Sequence, residues 1–186
     1  MVHRNVIIIW FCLLCVSACT PGNRLSGEGN MYRALPGGEF ILHEEITIAP
    51  GRVRMSFQDG TPAYAYGEYY PHCDLVVPAI SEQPQIIPAG SYRIGRVIGQ
   101  THYVSRPQAG PVLLAAGRGA GDYLLASDSG PDWYMFAYHM SLHAETPPER
   151  LTLICGGAYD YPFYVKYPSL AEMQASLGEY ATLKLP

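Results

Sequence analysis

The residues of this chain best suited to chemistry sit in a few short stretches. His72-Cys73-Asp74 places an imidazole, a thiol and a carboxylate side by side, the components of a metal corner or of a cysteine nucleophile with its base. His139 and His143 are four residues apart, a spacing that on a helix puts both rings on one face, as zinc sites use. His43-Glu44-Glu45-Ile46-Thr47 opens like a zinc-protease helix, but Thr47 stands where the second histidine must be. Glu44, Glu45, Glu68 and Asp160 could supply the paired carboxylates of glycoside hydrolysis, whose spacing is set in space and not along the chain. Nothing in the sequence singles them out from solvated surface charge. Gly117-Arg118-Gly119-Ala120-Gly121-Asp122 lacks the third glycine of a dinucleotide fingerprint and the Gly-Lys-Ser/Thr of a phosphate loop, so it reads as a loop. There is no Gly-x-Ser-x-Gly elbow for a serine nucleophile.

The elements that must carry these residues decide most of the candidates. Tyr134, Phe136, Tyr138, Met140 and Leu142 line one face of a strand over Trp133–His143, so the segment is not a helix. On a strand His139 and His143 share a face but lie about 13 Å apart, too far to hold one ion. Around the triplet, Cys73, Leu75, Val77 and Ala79 fall on one face and His72 and Asp74 on the other. Adjacent strand residues cannot converge on a metal, and a core-facing sulfur is a poor nucleophile. No catalytic residue, metal ligand or cofactor is therefore assigned.

Further strands are expected over Arg52–Gln58, which alternates without a fault, over Ser91–Ile98 with a bulge at Gly95, and over Thr101–Ser105, Pro111–Ala115 and Tyr123–Ser127. Phe40, Leu42, Ile46 and Ile48 share a face in another strand candidate interrupted by Glu44, with Ala49-Pro50-Gly51 as a hairpin turn before Arg52. Leu151, Leu153 and Cys155 share a face in one more. One helix stands out near the end. Ser169 with Glu172 makes a capping box, Leu170, Met173 and Leu177 form a stripe, and Gly178 sits where a terminating glycine belongs. Fifteen tyrosines, 19 glycines and 16 prolines in 186 residues favour strands and turns over helices. The fold class expected is mainly β, a single β-sandwich or partly open barrel with one short C-terminal helix, over residues 39–186. A net charge of −4 without a basic run excludes a nucleic-acid footprint.

The N-terminus reads as an address. His3 and Arg4 precede the apolar run Val6–Val16, which is short for a membrane span and suits a secretory signal peptide. The tetrapeptide Val16-Ser17-Ala18-Cys19 that follows resembles the lipobox of bacterial lipoproteins. That resemblance covers residues 1–19 only. It implies a signal peptide over 1–18 and a mature chain whose Cys19 carries diacylglyceryl and N-acyl groups, enough together to hold a protein at a bilayer. Thr20 in place of aspartate resembles the pattern sent to the outer membrane of Gram-negative cells, with the protein facing the periplasm. Residues 19–38, rich in glycine, proline and polar groups, read as the anchor and a flexible tether of roughly 24 Å.

An exported chain meets an oxidising compartment, and Cys73 and Cys155 are the two cysteines left for the mature domain. Both point with the apolar side chains, so a buried disulfide between distant strands is expected, two buried free thiols being the alternative. Such a bond draws together two aromatic segments: Tyr64, Tyr66, Tyr69 and Tyr70 before Cys73, and Tyr159, Tyr161, Phe163, Tyr164 and Tyr167 after Cys155. These rings either cover the sheet edge and fill the core, or form a recognition surface. The function expected is a non-enzymatic, lipid-anchored envelope protein that binds an envelope protein partner through Tyr64, Tyr66, Tyr69, Tyr70, Tyr159, Tyr161 and Tyr164. The alternative is a module for a small envelope ligand such as a glycan or peptidoglycan fragment, with a hydrolase behind it.

Overall fold

The computed structural model describes residues 31–67, 69–104, 133–144 and 150–186. The lipobox, Cys19, Glu68, the glycine-rich loop and the expected strands Pro111–Ala115 and Tyr123–Ser127 lie outside them.

The fold is mainly β. Among the described residues ten strands run in chain order: β1 (Glu39–Leu42), β2 (Ile46–Ile48), β3 (Arg54–Gln58), β4 (Thr61–Ala63), β5 (His72–Val76), β6 (Gln85–Ile87), β7 (Gly90–Val104), β8 (Trp133–His143), β9 (Arg150–Gly156) and β10 (Ala181–Lys184). Eight of them form one antiparallel sheet, ordered β10-β1-β7-β8-β9-β5-β3-β4, which curls into a half-barrel, while β2 and β6 make a separate two-stranded ribbon. The partly open barrel is thus the architecture adopted. A one-turn helix, α1 (Met31–Ala34), precedes β1, and α2 (Leu170–Leu177) precedes β10.

The alternation in β8 does what its sequence demands: Tyr138, Met140 and Leu142 are buried on the core face. Opposite them on β9 stand Cys155, Leu153 and Leu151, and on β5 Cys73 and Leu75, all at 3% exposure or less. Helix α2 closes the concave side, burying Met173, Ser176 and Leu177 against β3, β5 and β10. It begins as expected. The Ser169 hydroxyl accepts from the Glu172 amide at 3.2 Å, and the Glu172 carboxylate accepts from the Ser169 amide at 2.7 Å. It ends at Gly178, whose φ of 60° a residue with a Cβ rarely adopts. From α2, Gln174 also protects the outer edge of the sheet. Its side chain donates to Ala181 O at 2.7 Å and accepts from Leu183 N at 3.0 Å, occupying edge groups of β10 that would otherwise template another strand.

Several expectations need correction. The tether does not reach residue 38: Met31 and Leu35 are buried in the core, and Gly37 and Gly38 exchange backbone hydrogen bonds with Ile94. Two apolar side chains four apart were enough to seat this turn, which the glycines around it obscure. The apolar face Phe40–Ile48 is two strands, because the chain bends after Leu42 and β2 leaves the large sheet to pair with β6. Ala49-Pro50-Gly51 does turn, with Arg52 N donating to Ala49 O at 3.1 Å, but β2 and β3 are not partners. Segment Ser91–Ile98 and the described part of the second, Thr101 to Val104, are one strand, β7, whose register shifts between Ile94 and Val97. Gly95 sits at that shift, and a Cβ there would lie 2.7 Å from His143 Nε2, so the bulge and the missing side chain go together.

Candidate functional site

Cys73 and Cys155 face one another across β5 and β9 and form a disulfide, with Cα atoms 4.1 Å apart and a sequence separation of 82. The free-thiol alternative falls. The bond joins the two aromatic segments as expected, but the structure sorts their tyrosines into several groups.

Tyr64 is a brace. Its hydroxyl accepts from Ala49 N at 3.0 Å and donates to Thr47 O at 3.2 Å, and the Arg52 guanidinium lies 4.6 Å from its ring centroid. Tyr66 is a cover. Its ring sits 4.4 Å from the His72 ring, and its hydroxyl reaches Asp74 Oδ2 at 3.4 Å. Beneath it, the second face of β5 is buried as deeply as the first: His72 is 5% exposed and Asp74 3%. Asp74 Oδ2 accepts from Arg54 Nη1 at 3.1 Å, and His72 Nδ1 lies 2.9 Å from Tyr70 O. The Gln58 amide ties the covering loop down, donating to Gly67 O and accepting from Gly67 N, each at 2.9 Å. His72 and Asp74 therefore hold separate partners, and Cys73 points away from both into its disulfide. The triplet forms no catalytic dyad.

Tyr69, Tyr159 and Tyr161 form the third group, and they meet Trp133 at the start of β8. The Tyr69 ring lies 6.0 Å from Trp133 and 6.0 Å from Tyr159, and Tyr161 lies 4.9 Å from Trp133. Strand β9 ends at Gly156, opposite Ala137, so the last turns of the β7–β8 ladder run past its neighbour. The chain after Gly156 is pinned back to that overhang by Tyr134 and Asp160, which exchange two backbone hydrogen bonds of 2.9 Å. A tight turn follows, with Tyr164 N and Val165 N both donating to Tyr161 O, and it pushes Phe163 out to 94% exposure. Tyr103 on the overhang is 68% exposed, Tyr69 60%. The result is a ridge of rings at one end of the half-barrel, Tyr69 and Tyr161 against Trp133 on one face of β8, with Tyr103 beside Tyr134 on the other. Tyr70 and Tyr164 are exposed near it without joining its ring contacts. Tyr167, by contrast, turns inward, its ring 4.7 Å from Tyr138 and 4.9 Å from Phe136, lying across Gly99 where no side chain would fit.

Beside the ridge an open cleft of about 450 Å³ is lined by Asp160, Tyr164, Lys166, Tyr167 and Glu172 among others. Both its carboxylates already serve the fold, Asp160 Oδ1 accepting from Tyr161 N and Glu172 Oε2 from the Ser169 cap.

The histidines regroup as well. His139 does not pair with His143, which is exposed. It pairs with His102 of β7, their rings stacked at 6° and both half-buried. The His139 imidazole is held below its ordinary value of 6.5, first by burial and then by the neighbouring His102 charge. Among the described residues no three His, Cys, Asp or Glu side chains converge as a metal cage. Sequence reasoning missed His102, Trp133, Tyr103 and Tyr134 as neighbours of the site. Trp133 was legible as the first residue of β8. The register that brings the others beside it was not.

The chain matches no family model, no curated protein and no solved structure.

Proposed function

We propose that this chain is a non-catalytic, lipid-anchored protein of the bacterial envelope that docks a partner protein on its aromatic ridge. One observation carries the docking surface: Trp133 contacts both Tyr69 and Tyr161, while Tyr69 and the nearby Phe163 remain exposed. Large aromatic side chains left in water are costly, and rings of this kind supply most of the energy of protein interfaces. The anchor is the part that rests on Val16-Ser17-Ala18-Cys19, with acylated Cys19 in the outer membrane and the domain on the periplasmic side.

The tilt of the rings favours a protein over a sugar. Interplanar angles of 83° and 63° around Tyr69 make an uneven relief, suited to interdigitating side chains and unlike a flat stacking platform. The cleft at Tyr164 supports the second reading, a small envelope glycan, because it sets a ring beside Lys166 and two carboxylates. Purification of the anchored protein from its own envelope tests both. The first reading expects a stoichiometric protein partner lost on replacing Tyr69, Tyr161 and Phe163 with serine. The second expects binding to isolated cell-wall sacculi that survives this change.

A further inference from the structure

Arg93, Arg96, Arg150 and Lys184 are far apart in the sequence, but the sheet brings them to one place. Glu39 of β1 pairs with Lys184 of β10 on one side and with Arg93 of β7 on the other. Arg93 pairs in turn with His143 of β8, and His143 with Arg150 of β9. One row of side chains therefore crosses five neighbouring strands in register. Each is exposed, while Phe40, Tyr92, Leu142, Leu151 and Leu183 beside them in sequence are buried in the core, so the row lies on the outward face. Arg96, also exposed, stands at the bulge, its carbonyl accepting from the Ser141 hydroxyl at 3.2 Å. In these five strands Glu39 is the one carboxylate against four cations, although the whole chain carries −4. Glu44 and Glu179 lie beyond the far ends of β1 and β10, five residues from Glu39 and Lys184. Among the described residues the one ion pair is Arg54 with Asp74, on β3 and β5, so the cations of the row are not held by a described carboxylate.

We propose that this row is the face by which the domain rests on the anionic headgroups of the membrane that holds its anchor, an inference that takes the lipid-anchored reading above as its premise. The spacing argues for a surface and against a small anion. Neighbouring strands lie about 4.8 Å apart, so Lys184, Arg93 and Arg150, on every second strand, are spread over roughly 19 Å. Three cations so spread do not close on one phosphate, but a plane of many phosphates meets all of them. The entry of the chain points the same way. Gly37 N donates to Ile94 O and Ile94 N to Gly38 O, each at 2.8 Å, so residues 31–38 join the sheet beside Arg93 and Glu39. Cys19 is twelve residues before Met31, a reach of at most about 43 Å. An acylated Cys19 therefore holds the row near its bilayer. There each Lys or Arg strengthens binding roughly fivefold, and the anchor supplies the encounter that so few charges would not.

The test uses the mature chain from residue 19 with Cys19→Ser, which carries no acyl group, sedimented with vesicles at low salt. Vesicles of equal parts phosphatidylcholine and phosphatidylglycerol should retain it, and phosphatidylcholine alone should not. Arg93→Gln, Arg150→Gln and Lys184→Gln together should lower partitioning about a hundredfold. The melting temperature should hold, because all three side chains are exposed. The variant with Tyr69, Tyr161 and Phe163 replaced by serine should partition like the parent. No preference for phosphatidylglycerol, undiminished binding by the glutamine variant, or loss of binding with the ridge rings overturns the face. If the triple glutamine variant loses its fold, the single variants decide. Each should lose roughly fivefold, and three unaltered single variants contradict the proposal. The mass of the N-terminal peptide from cells reads the anchor separately. An unacylated Cys19 would strike the anchor and this proposal with it, whereas an acylated Cys19 with vesicles left unbound would strike the face alone.

Discussion

Tyr138 and Tyr134 project from the same face of β8, four residues apart, but their surroundings differ. Tyr138 is 1% exposed, flanked by β9 and covered by Tyr167, whereas Tyr134 stands past the end of β9, with the bridge to Asp160 on that side and the ring of Tyr103 on the other. The inner half of the β7–β8 ladder is core and the outer half is ridge, although the same pattern of aromatic and apolar residues runs through both. Alternation fixes which face a side chain takes, while burial depends on whether a neighbouring strand continues that far. The unspent apolar surface of the outer half is what a partner would cover.

The comparison can be broken most easily by stability. Tyr138→Ala removes a fully buried ring and should lower the unfolding free energy by about 3–5 kcal/mol. Tyr161→Ala, at 38% exposure, should stay within about 0.5 kcal/mol of the parent. Denaturant titration of the two variants checks this, and equal losses would make the ridge part of the core. Replacing Cys73 and Cys155 together with alanine should cost about 2–5 kcal/mol, since the bond closes a span of 82 residues in the unfolded chain. Chemical denaturation with and without reductant measures it, and an unchanged midpoint would show that the ladder alone holds β5 to β9.

The smallest effect concerns His139 and acid. Its imidazole is depressed in the fold, so as pH falls the unfolded chain takes up the proton first. Its contribution to stability is therefore complete above the unfolded value of 6.5 and is lost as pH drops through the lower folded value. His139→Gln should show a shallower decline in melting temperature below 6.5 than the parent does. An identical slope would mean that burial of His139 carries no acid penalty.

Much of this fold was legible beforehand because local rules settled it. The faces of β3, β8 and β9, the capping box at Ser169 and the partnership of Cys73 with Cys155 follow from side-chain periodicity, end chemistry and the small number of cysteines. What stayed hidden was pairing at a distance. Three-residue strands such as β4 and β6 carry no readable alternation, and nothing along the chain tells that β2 leaves the large sheet for β6. The aromatic site was legible as a composition and not as a geometry. Tyr64 and Tyr66 have the same side chain as Tyr69, but hydrogen bonds to Thr47 and Asp74 commit the first two to the fold. The His72-Cys73-Asp74 triplet illustrates the same limit, since the loop that buries its polar face is held by Gln58 of another strand.

The central claim is that the outer half of the ladder is a binding surface and not unfinished core. The triple variant Tyr69→Ser, Tyr161→Ser, Phe163→Ser tests it in one paired measurement, melting temperature together with recovery of the envelope partner from cells. A melting temperature within a few degrees of the parent together with loss of the partner is the predicted result. A retained partner, or a fold that collapses with the rings, would contradict it.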